Sequence, residues 1–207
     1  MLDLAVRRRI DPILDRVGDA LAARGVSANG VTIAAFAVGI AAAGAIAAGF
    51  MWLGLTLVLV SRIGDGLDGS VARAQARHSG GARFGTVLGG YLDIVLDFGF
   101  YALVPLAFVV HDPAANGVAG AVLLAAFYFN GASFLAFAAA DREHDAQPTG
   151  SKAFLYTVGL MEGTETIVFF CALCVFPDWF APLAYAFAAL TLVTTAARIA
   201  LAVQTFR

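Results

Sequence analysis

Four aspartates in two apolar segments are the residues of this sequence best suited to chemistry. Asp65 and Asp68 are three residues apart, and Asp93 and Asp97 are four apart. In a helix each spacing places both side chains on one face. A carboxylate at the centre of a membrane span costs about 2.5–3.5 kcal/mol, so four of them need a reason. Brought together they repel one another, so either some are protonated or a cation lies among them.

A divalent metal ion is the cation that suits this cluster. Carboxylate oxygens favour hard ions, and Mg²⁺ or Mn²⁺ fits a site that also handles phosphates. Glycines at positions 64, 66 and 69 leave room for a ligand beside the first aspartate pair. The alternative without a metal is a set of buried acids paired with arginines such as Arg62 and Arg73.

The composition indicates a membrane protein. Of the 207 residues 60% are hydrophobic and 14% are charged, against roughly 25% charged residues in soluble domains. So little polar surface cannot cover a soluble domain, and the length suits one domain over residues 1–207. Cys171 and Cys174 lie in an apolar run without a second pair, so we interpret them as packing residues.

Six apolar stretches follow an amphipathic segment. Residues 2–22 predict an interfacial helix, since apolar residues recur every three or four positions between charges; the alternative is a short soluble helix packed on the bundle. Each stretch can cross a core of about 30 Å at about 1.5 Å per residue. The predicted fold is an all-α membrane protein with six transmembrane helices plus this N-terminal amphipathic interfacial helix. The predicted spans are 31–50, 52–72, 84–110, 117–139, 153–176 and 181–204.

The distribution of the 13 Lys and Arg residues predicts the topology. They occur before the first span, in or beside the second and fourth connections, and towards the C-terminus, whereas the other three connections contain none. Cytoplasmic loops favour Lys and Arg, so both termini and the aspartate cluster are predicted on the cytoplasmic side.

The aspartate segments resemble a known signature. The run from Asp65 to Arg73 reads D-G-L-D-G-S-V-A-R, and the run from Gly89 to Asp97 reads G-G-Y-L-D-I-V-L-D. Together they are similar to D-x2-D-G-x2-A-R, a spacer, and G-x3-D-x3-D of the CDP-alcohol phosphatidyltransferases. The plan of six spans after a surface helix also resembles that family. Residues 28–32 read A-N-G-V-T, similar to the family's P-N-x-x-T with alanine in place of proline.

The spacer departs from the family pattern. It is usually eight residues long, whereas residues 74–88 make fifteen here. We place the seven extra residues near 80–83 and expect two further helical turns at the cytoplasmic end of the third span. This departure affects the mouth of the substrate site rather than the acid cluster.

The resemblance implies a reaction and a role for each residue. A phosphatidyl group moves from a CDP-alcohol such as CDP-diacylglycerol to an acceptor alcohol, and CMP is released. Asp65, Asp68 and Asp93 bind the metal, and Asp97 is the general base and a further ligand. The implied contacts to the CDP moiety come from Gly69, Arg73, Ser79, Asn29 and Thr32. The open alternatives are a positive-inside anchor for Arg73 and helix capping by Asn29, with Thr32 in the first turn.

A second acidic pair lies in the fifth predicted span. Glu162 and Glu165 are three residues apart, share a helix face and are costly to bury. We predict that they line an acceptor pocket, which would disfavour a phosphorylated acceptor; an internal hydrogen-bonded pair is the alternative. The implied partners are a CDP-linked lipid, a small alcohol, membrane lipids and a second copy of the chain in a homodimer, with no nucleic acid. The predicted location is the bacterial inner membrane.

Other functions remain open on the same residues. Buried carboxylates also mark ion pathways, so a cation or proton transporter is the main alternative, although no chain of polar residues leads to the other side. A prenyltransferase with aspartate-rich diphosphate sites is a second alternative, and a non-catalytic membrane scaffold is a third. Metal-dependent release of CMP from a CDP-lipid separates the first reading from the transporter.

Overall fold

The computed structural model describes residues 2–78, 86–144 and 163–206, and within them the chain is helical without strands. This confirms the predicted all-α class. A short 3-10 turn, Pro177–Trp179, precedes the last helix. The helices are α1 Leu2–Ala23, α2 Ala28–Ala47, α3 Met51–His78, α4 Val87–His111, α5 Pro113–His144, α6 Gly163–Val175 and α7 Phe180–Thr205.

Local hydrogen bonds fix the start of α2 earlier than hydropathy predicts. The Ser27 hydroxyl accepts a hydrogen bond from the backbone N–H of Gly30 at 3.1 Å, so the helix begins at residue 28 rather than 31. Its end also comes early, at residue 47 rather than 50, because Gly49 adopts a φ of 86°. This left-handed conformation favours glycine and stops the helix.

The region around the long spacer differs from the prediction. Helix α3 continues to His78, six residues past the predicted end at residue 72. Helix α4 begins at Val87, because the Thr86 hydroxyl accepts from the backbone N–H of Gly89 at 2.9 Å. Part of the spacer, up to His78, lengthens α3. The seven extra residues that we place near 80–83 lie outside the described residues, so the two further turns expected there stay a prediction.

Four helices are long and apolar enough to cross a membrane: α2, α4, the stretch Pro113–Asp141 of α5, and the segment Pro177–Thr205 that contains α7. Helix α3 is 28 residues long, but its second half carries both arginines and aspartates. The described part of α6 has 13 residues, and the start of the predicted fifth span lies outside the description. The two further spans, in α3 and α6, therefore stay a prediction.

The core is an aromatic cluster shared by α2 to α7. Phe100 and Phe108 of α4, Phe170 of α6 and Phe180 at the start of α7 are fully buried in it. Phe100 packs edge-on against Phe170 at 5.9 Å between ring centroids. Rings locked in this way hold α4, the helix that carries two of the four aspartates.

A polar cluster joins α5 to α7 within the apolar bundle. Arg198 Nη1 donates to the carbonyl and side-chain oxygens of Asn130, at 3.1 and 2.9 Å, and to Ser133 Oγ at 2.9 Å. The guanidinium also lies 5.6 Å from the ring centroid of Phe134. These contacts satisfy charged and amide groups that would be costly in lipid.

Helix α1 packs along α3 through its charged face. Asp15 and Asp19 pair with Arg73 and Arg77 of α3, whereas Ile13 is 63% exposed on the other side. The described side chains of α1, residues 12–23, therefore show a helix packed on the bundle. Its position at the membrane surface stays a prediction.

The close approach of α2 to α4 predicts a stability effect at Gly39. A Cβ on Gly39 would lie 2.7 Å from Cδ2 of Phe100 and 3.1 Å from Ser61 Oγ, whereas nothing lies within 4 Å of one on Gly44. We expect Gly39→Ala to destabilise the protein by about 1–3 kcal/mol through overpacking. Gly44→Ala should be neutral, or stabilise by about 0.5–1 kcal/mol. Thermal unfolding in one detergent measures both, and equal melting temperatures would contradict the packing.

Candidate metal centre

Three of the four aspartates converge between α3 and α4. Asp65 of α3 and Asp93 and Asp97 of α4 each offer a carboxylate oxygen, and these oxygens lie within 4.8 Å of one another. The four-residue spacing on α4 places its two aspartates on one face, directed at Asp65. Asp93 is exposed, and the other two are partly buried.

Asp68 lies next to this group and is held by α2. The Thr32 hydroxyl donates a hydrogen bond to Asp68 Oδ2 at 2.5 Å. Thr32 is buried in the first turns of α2, so Asp68 is tied to a rigid element. The same hydroxyl also lies 3.1 Å from the carbonyl oxygen of Ala28. The structure therefore places Thr32 beside the cluster and Asp68 at its edge.

Arg62 reaches into the cluster from one turn before Asp65. Its Nη1 donates to Asp97 Oδ1 at 2.6 Å and lies 3.4 Å from Asp65 Oδ2. In the sequence, Arg62 is considered only in the alternative without a metal. Its spacing of three residues from Asp65 predicts a contact with that residue but does not indicate the hydrogen bond to Asp97. The side chain is 7% exposed, and the guanidinium carbon lies 3.8 Å from the ring centroid of Phe100.

Arg73 has protein partners rather than an open position. Its Nη2 donates to Asp15 Oδ1 at 2.7 Å and to Ser70 Oγ at 2.8 Å, and its Nε donates to Asp15 at 3.2 Å. Its Nη1 lies 3.6 Å from the position of a Cβ on Gly69. One edge of the guanidinium therefore holds α1, and Nη1 is turned towards the glycine of the motif.

The remaining predicted residues have different placements. Asn29 Oδ1 lies 3.0 Å from the position of a Cβ on Gly89, so Asn29 contacts the first turn of α4. Ser27, not Asn29, caps α2, so the capping role considered for Asn29 is wrong. Glu165 lies in the first turn of α6. Ser79 and Glu162 lie outside the described residues.

Large apolar side chains are exposed on the two helices that carry the cluster. On the first turns of α4, just before Asp93, Val87, Leu88 and Tyr91 are 58–91% exposed. Ile63 of α3 is exposed as well. In a chain with membrane-spanning helices, exposed apolar side chains of this size are suited to contact with lipid.

The donor set fits a hard divalent ion. All three converging groups offer carboxylate oxygen, the ligand that Mg²⁺ and Mn²⁺ prefer. Mg²⁺ binds oxygen at about 2.0–2.1 Å, so opposite ligands of one ion lie about 4 Å apart. The observed spread of up to 4.8 Å is therefore close to that of one ion's ligands. Asp68, one turn along α3, is the nearest further carboxylate on that helix.

The helices have the fold of a lipid-synthesis enzyme. The crystal structure of Mycobacterium tuberculosis phosphatidylinositol phosphate synthase with CDP-DAG bound superposes with a TM-score of 0.70, covering 92% of this chain and 94% of that chain. The sequence identity is 18%, so the likeness is one of fold. No protein-family model matches the sequence.

A sequence relative defines the family. The chain is 43% identical over 201 residues to the Inner membrane protein YnjF of Escherichia coli (strain K12), covering 96% of this chain and 94% of the relative. The chain therefore belongs to the same family as that inner membrane protein. The description of the relative and the apolar helices agree that this is a membrane protein.

The hydrogen bond between Thr32 and Asp68 predicts a stability effect. Thr32→Val keeps the side-chain shape but removes the donor, leaving a partly buried carboxylate oxygen without it. We expect a loss of about 1–3 kcal/mol in the free energy of unfolding. Thr32→Ser keeps the hydroxyl and should retain most of the stability. Denaturation in detergent compares the two variants, and a Val variant as stable as the Ser variant would contradict the hydrogen bond.

The contact between Asp15 and Arg73 predicts a pH dependence. The hydrogen bond from Arg73 lowers the pKa of Asp15 from its usual value of 3.8. A carboxyl whose folded-state pKa is depressed stabilises the fold above its unfolded pKa, and this contribution is lost as the pH falls. Asp15→Asn should therefore loosen α1 at neutral pH and make no difference well below about pH 4.

Hydrogen exchange of residues 12–23 measures this loosening. The side chains of Asp15 and Arg73 are 40% and 37% exposed, so solvent limits the effect to less than about 1 kcal/mol. Asp19→Asn, which breaks the more exposed pair with Arg77, is the matched control and should change less. Equal exchange in the wild type and Asp15→Asn at neutral pH would contradict the docking role.

Proposed function

We propose that this protein is a metal-dependent CDP-alcohol phosphatidyltransferase of phospholipid synthesis. It would move a phosphatidyl group from a CDP-alcohol such as CDP-diacylglycerol to an acceptor alcohol and release CMP. The observation that carries the proposal is the convergence of Asp65, Asp93 and Asp97 at the family's motif spacing. Support comes from the fold, which is shared with a synthase whose structure holds CDP-DAG.

The role proposed for each aspartate follows from its position. Asp65 and Asp93, from two different helices, would hold the ion together with Asp97, and Asp68 would complete the set from its place beside Thr32. A bound Mg²⁺ or Mn²⁺ supplies charge that neutralises the diphosphate and polarises the phosphorus under attack. The hydrogen bonds from Thr32 of α2 to Asp68 and from Arg62 to Asp97 would keep these carboxylates in place before substrate arrives.

Asp97 is the group proposed to take the proton. The acceptor hydroxyl oxygen forms a new bond to the phosphorus, the bond from phosphorus to the CMP oxygen breaks, and the hydroxyl proton passes to Asp97. Oδ1 of Asp97 already accepts from Arg62, which leaves the lone pairs of the second carboxylate oxygen for the ion and for the proton. The pairing also holds the carboxylate in one orientation.

The nucleotide is proposed to lie between the starts of α2 and α4. Arg73 Nη1, turned towards Gly69, could bind a phosphate oxygen while the other edge of its guanidinium keeps Asp15. Asn29 lies beside Gly89 at the same end of the bundle. Ser79 remains a predicted contact in residues outside the description.

Several further features belong to the proposal. The active site and both termini would lie on the cytoplasmic side of a bacterial inner membrane, and the protein would act as a homodimer. The acceptor is a small alcohol, and Glu162 and Glu165 are proposed to line its pocket. An acidic pocket would repel a phosphorylated acceptor, which favours an uncharged or amine-bearing alcohol.

Release of CMP tests the proposed reaction. Purified protein is incubated with CDP-diacylglycerol, Mn²⁺ or Mg²⁺ and a panel of acceptors: glycerol phosphate, inositol phosphate, inositol, serine and glycerol. We expect metal-dependent CMP release that requires one acceptor and stops with EDTA. Absence of CMP with every acceptor, together with cation flux into proteoliposomes, would favour the transporter instead.

Asp97→Asn tests the proton acceptor within the same assay. The amide has the shape of the carboxylate but cannot take the proton, so turnover should fall on the order of 10²–10⁴-fold. Asp112→Asn, after the far end of α4, is the matched control and should keep full activity. Normal turnover by Asp97→Asn would remove the assigned role.

A further inference from the structure

Arg62 places its cationic side chain among the three converging carboxylates. Its Nη1 bridges α3 and α4, at 2.6 Å from an oxygen of Asp97 and 3.4 Å from an oxygen of Asp65. A position between two carboxylates of different helices is one that a bridging metal ion would otherwise take. The charged nitrogen of Arg62 therefore occupies part of the space that the aspartates offer to cations.

The guanidinium is held so that it cannot leave easily. Phe100 lies fully buried beneath it, with the ring centroid 3.8 Å from the guanidinium carbon. On another side Nη2 donates to Ser61 Oγ at 3.3 Å, and this hydroxyl donates in turn to the carbonyl oxygen of Ala35 on α2. The stacked ring and the hydrogen bonds fix a 7% exposed side chain in one place.

The position of Arg62 also carries a cost that a simple ion pair would not explain. Its Nε is buried, and in the described part of the chain it has no hydrogen-bond partner. An unsatisfied buried donor is unfavourable, and a surface arginine would avoid it. A positive charge is thus kept within the cluster despite an imperfect fit of the side chain.

The charges fit one divalent ion. The three converging carboxylates and Asp68 carry four negative charges, and Arg62 carries one positive charge, so three negative charges remain among these groups. One Mg²⁺ or Mn²⁺ leaves the cluster with one negative charge, whereas two ions would give it a net positive charge. Two ions about 3.5–4 Å apart, as in two-metal sites, would place the second ion against the guanidinium, where like charges repel.

We propose that Arg62 takes the place of a second metal ion, so that the cluster binds a single divalent cation with the guanidinium as a permanent cation beside Asp97. This inference rests on the metal-dependent site of the proposed function. In that reaction Arg62 would be a positioning residue, holding Asp97 and adding positive charge next to the diphosphate.

Counting bound Mn²⁺ tests this inference without substrate. Titration of the purified wild type in detergent, with free Mn²⁺ read by electron paramagnetic resonance, should give one bound ion per chain. Arg62→Met keeps an apolar chain on Phe100 but removes the charge, and it should bind two ions. Arg62→Lys keeps the charge and should bind one.

Each outcome decides the matter. Two ions in the wild type, one ion in Arg62→Met, or no binding by the wild type would overturn the inference. Should Arg62→Met fail to fold, the wild-type and Arg62→Lys counts still decide it. The CMP assay reports separately on the transferase, so a chain that binds one ion but releases no CMP would refute the proposed reaction and leave the role of Arg62 standing.

Discussion

Repulsion among carboxylates in an apolar bundle is the constraint on which this structure depends. Asp65, Asp93 and Asp97 each offer an oxygen within 4.8 Å of the others, so their negative charges repel one another, the more so because Asp65 and Asp97 are partly buried. Two neighbouring side chains reduce this repulsion: Arg62 pairs with Asp65 and Asp97, and Thr32 donates a hydrogen bond to the neighbouring Asp68. Such partners offset only part of the negative charge, and the remainder is the reason for proposing a cation among the carboxylates.

Small residues make this arrangement possible. Gly64 of α3 faces Ala35 of α2, with 3.0 Å between a Cβ built on the glycine and that of the alanine. Gly39 leaves room for Phe100 in the same region. Helices that approach so closely can exchange hydrogen bonds such as that from Ser61 to the carbonyl oxygen of Ala35. The packing of α2 therefore determines where Arg62 and the aspartates lie.

The sequence predicted what depends on local spacing and hydropathy. The helical class, the helix over the N-terminal amphipathic segment and the shared faces of the aspartate pairs follow from periodicity, which short-range geometry fixes. Helix ends were misplaced because caps such as Ser27 and Thr86 act through single hydrogen bonds that hydropathy does not register. The partner of Arg73 was not predictable, because Asp15 is 58 residues away and meets it only once α1 packs on α3.

The exposed apolar side chains at the start of α4 have a consequence for how an enzyme of the proposed class would meet its donor. Val87, Leu88 and Tyr91 are exposed on the first turns of the helix that carries Asp93 and Asp97, so a two-chain lipid could reach this helix by lateral diffusion without leaving the bilayer. Its rate would then follow the mole fraction of donor in the leaflet rather than its bulk concentration. Diluting the donor with inert phospholipid at constant total amount would slow the enzyme, whereas adding more vesicles of the same composition would not speed it once all enzyme is embedded.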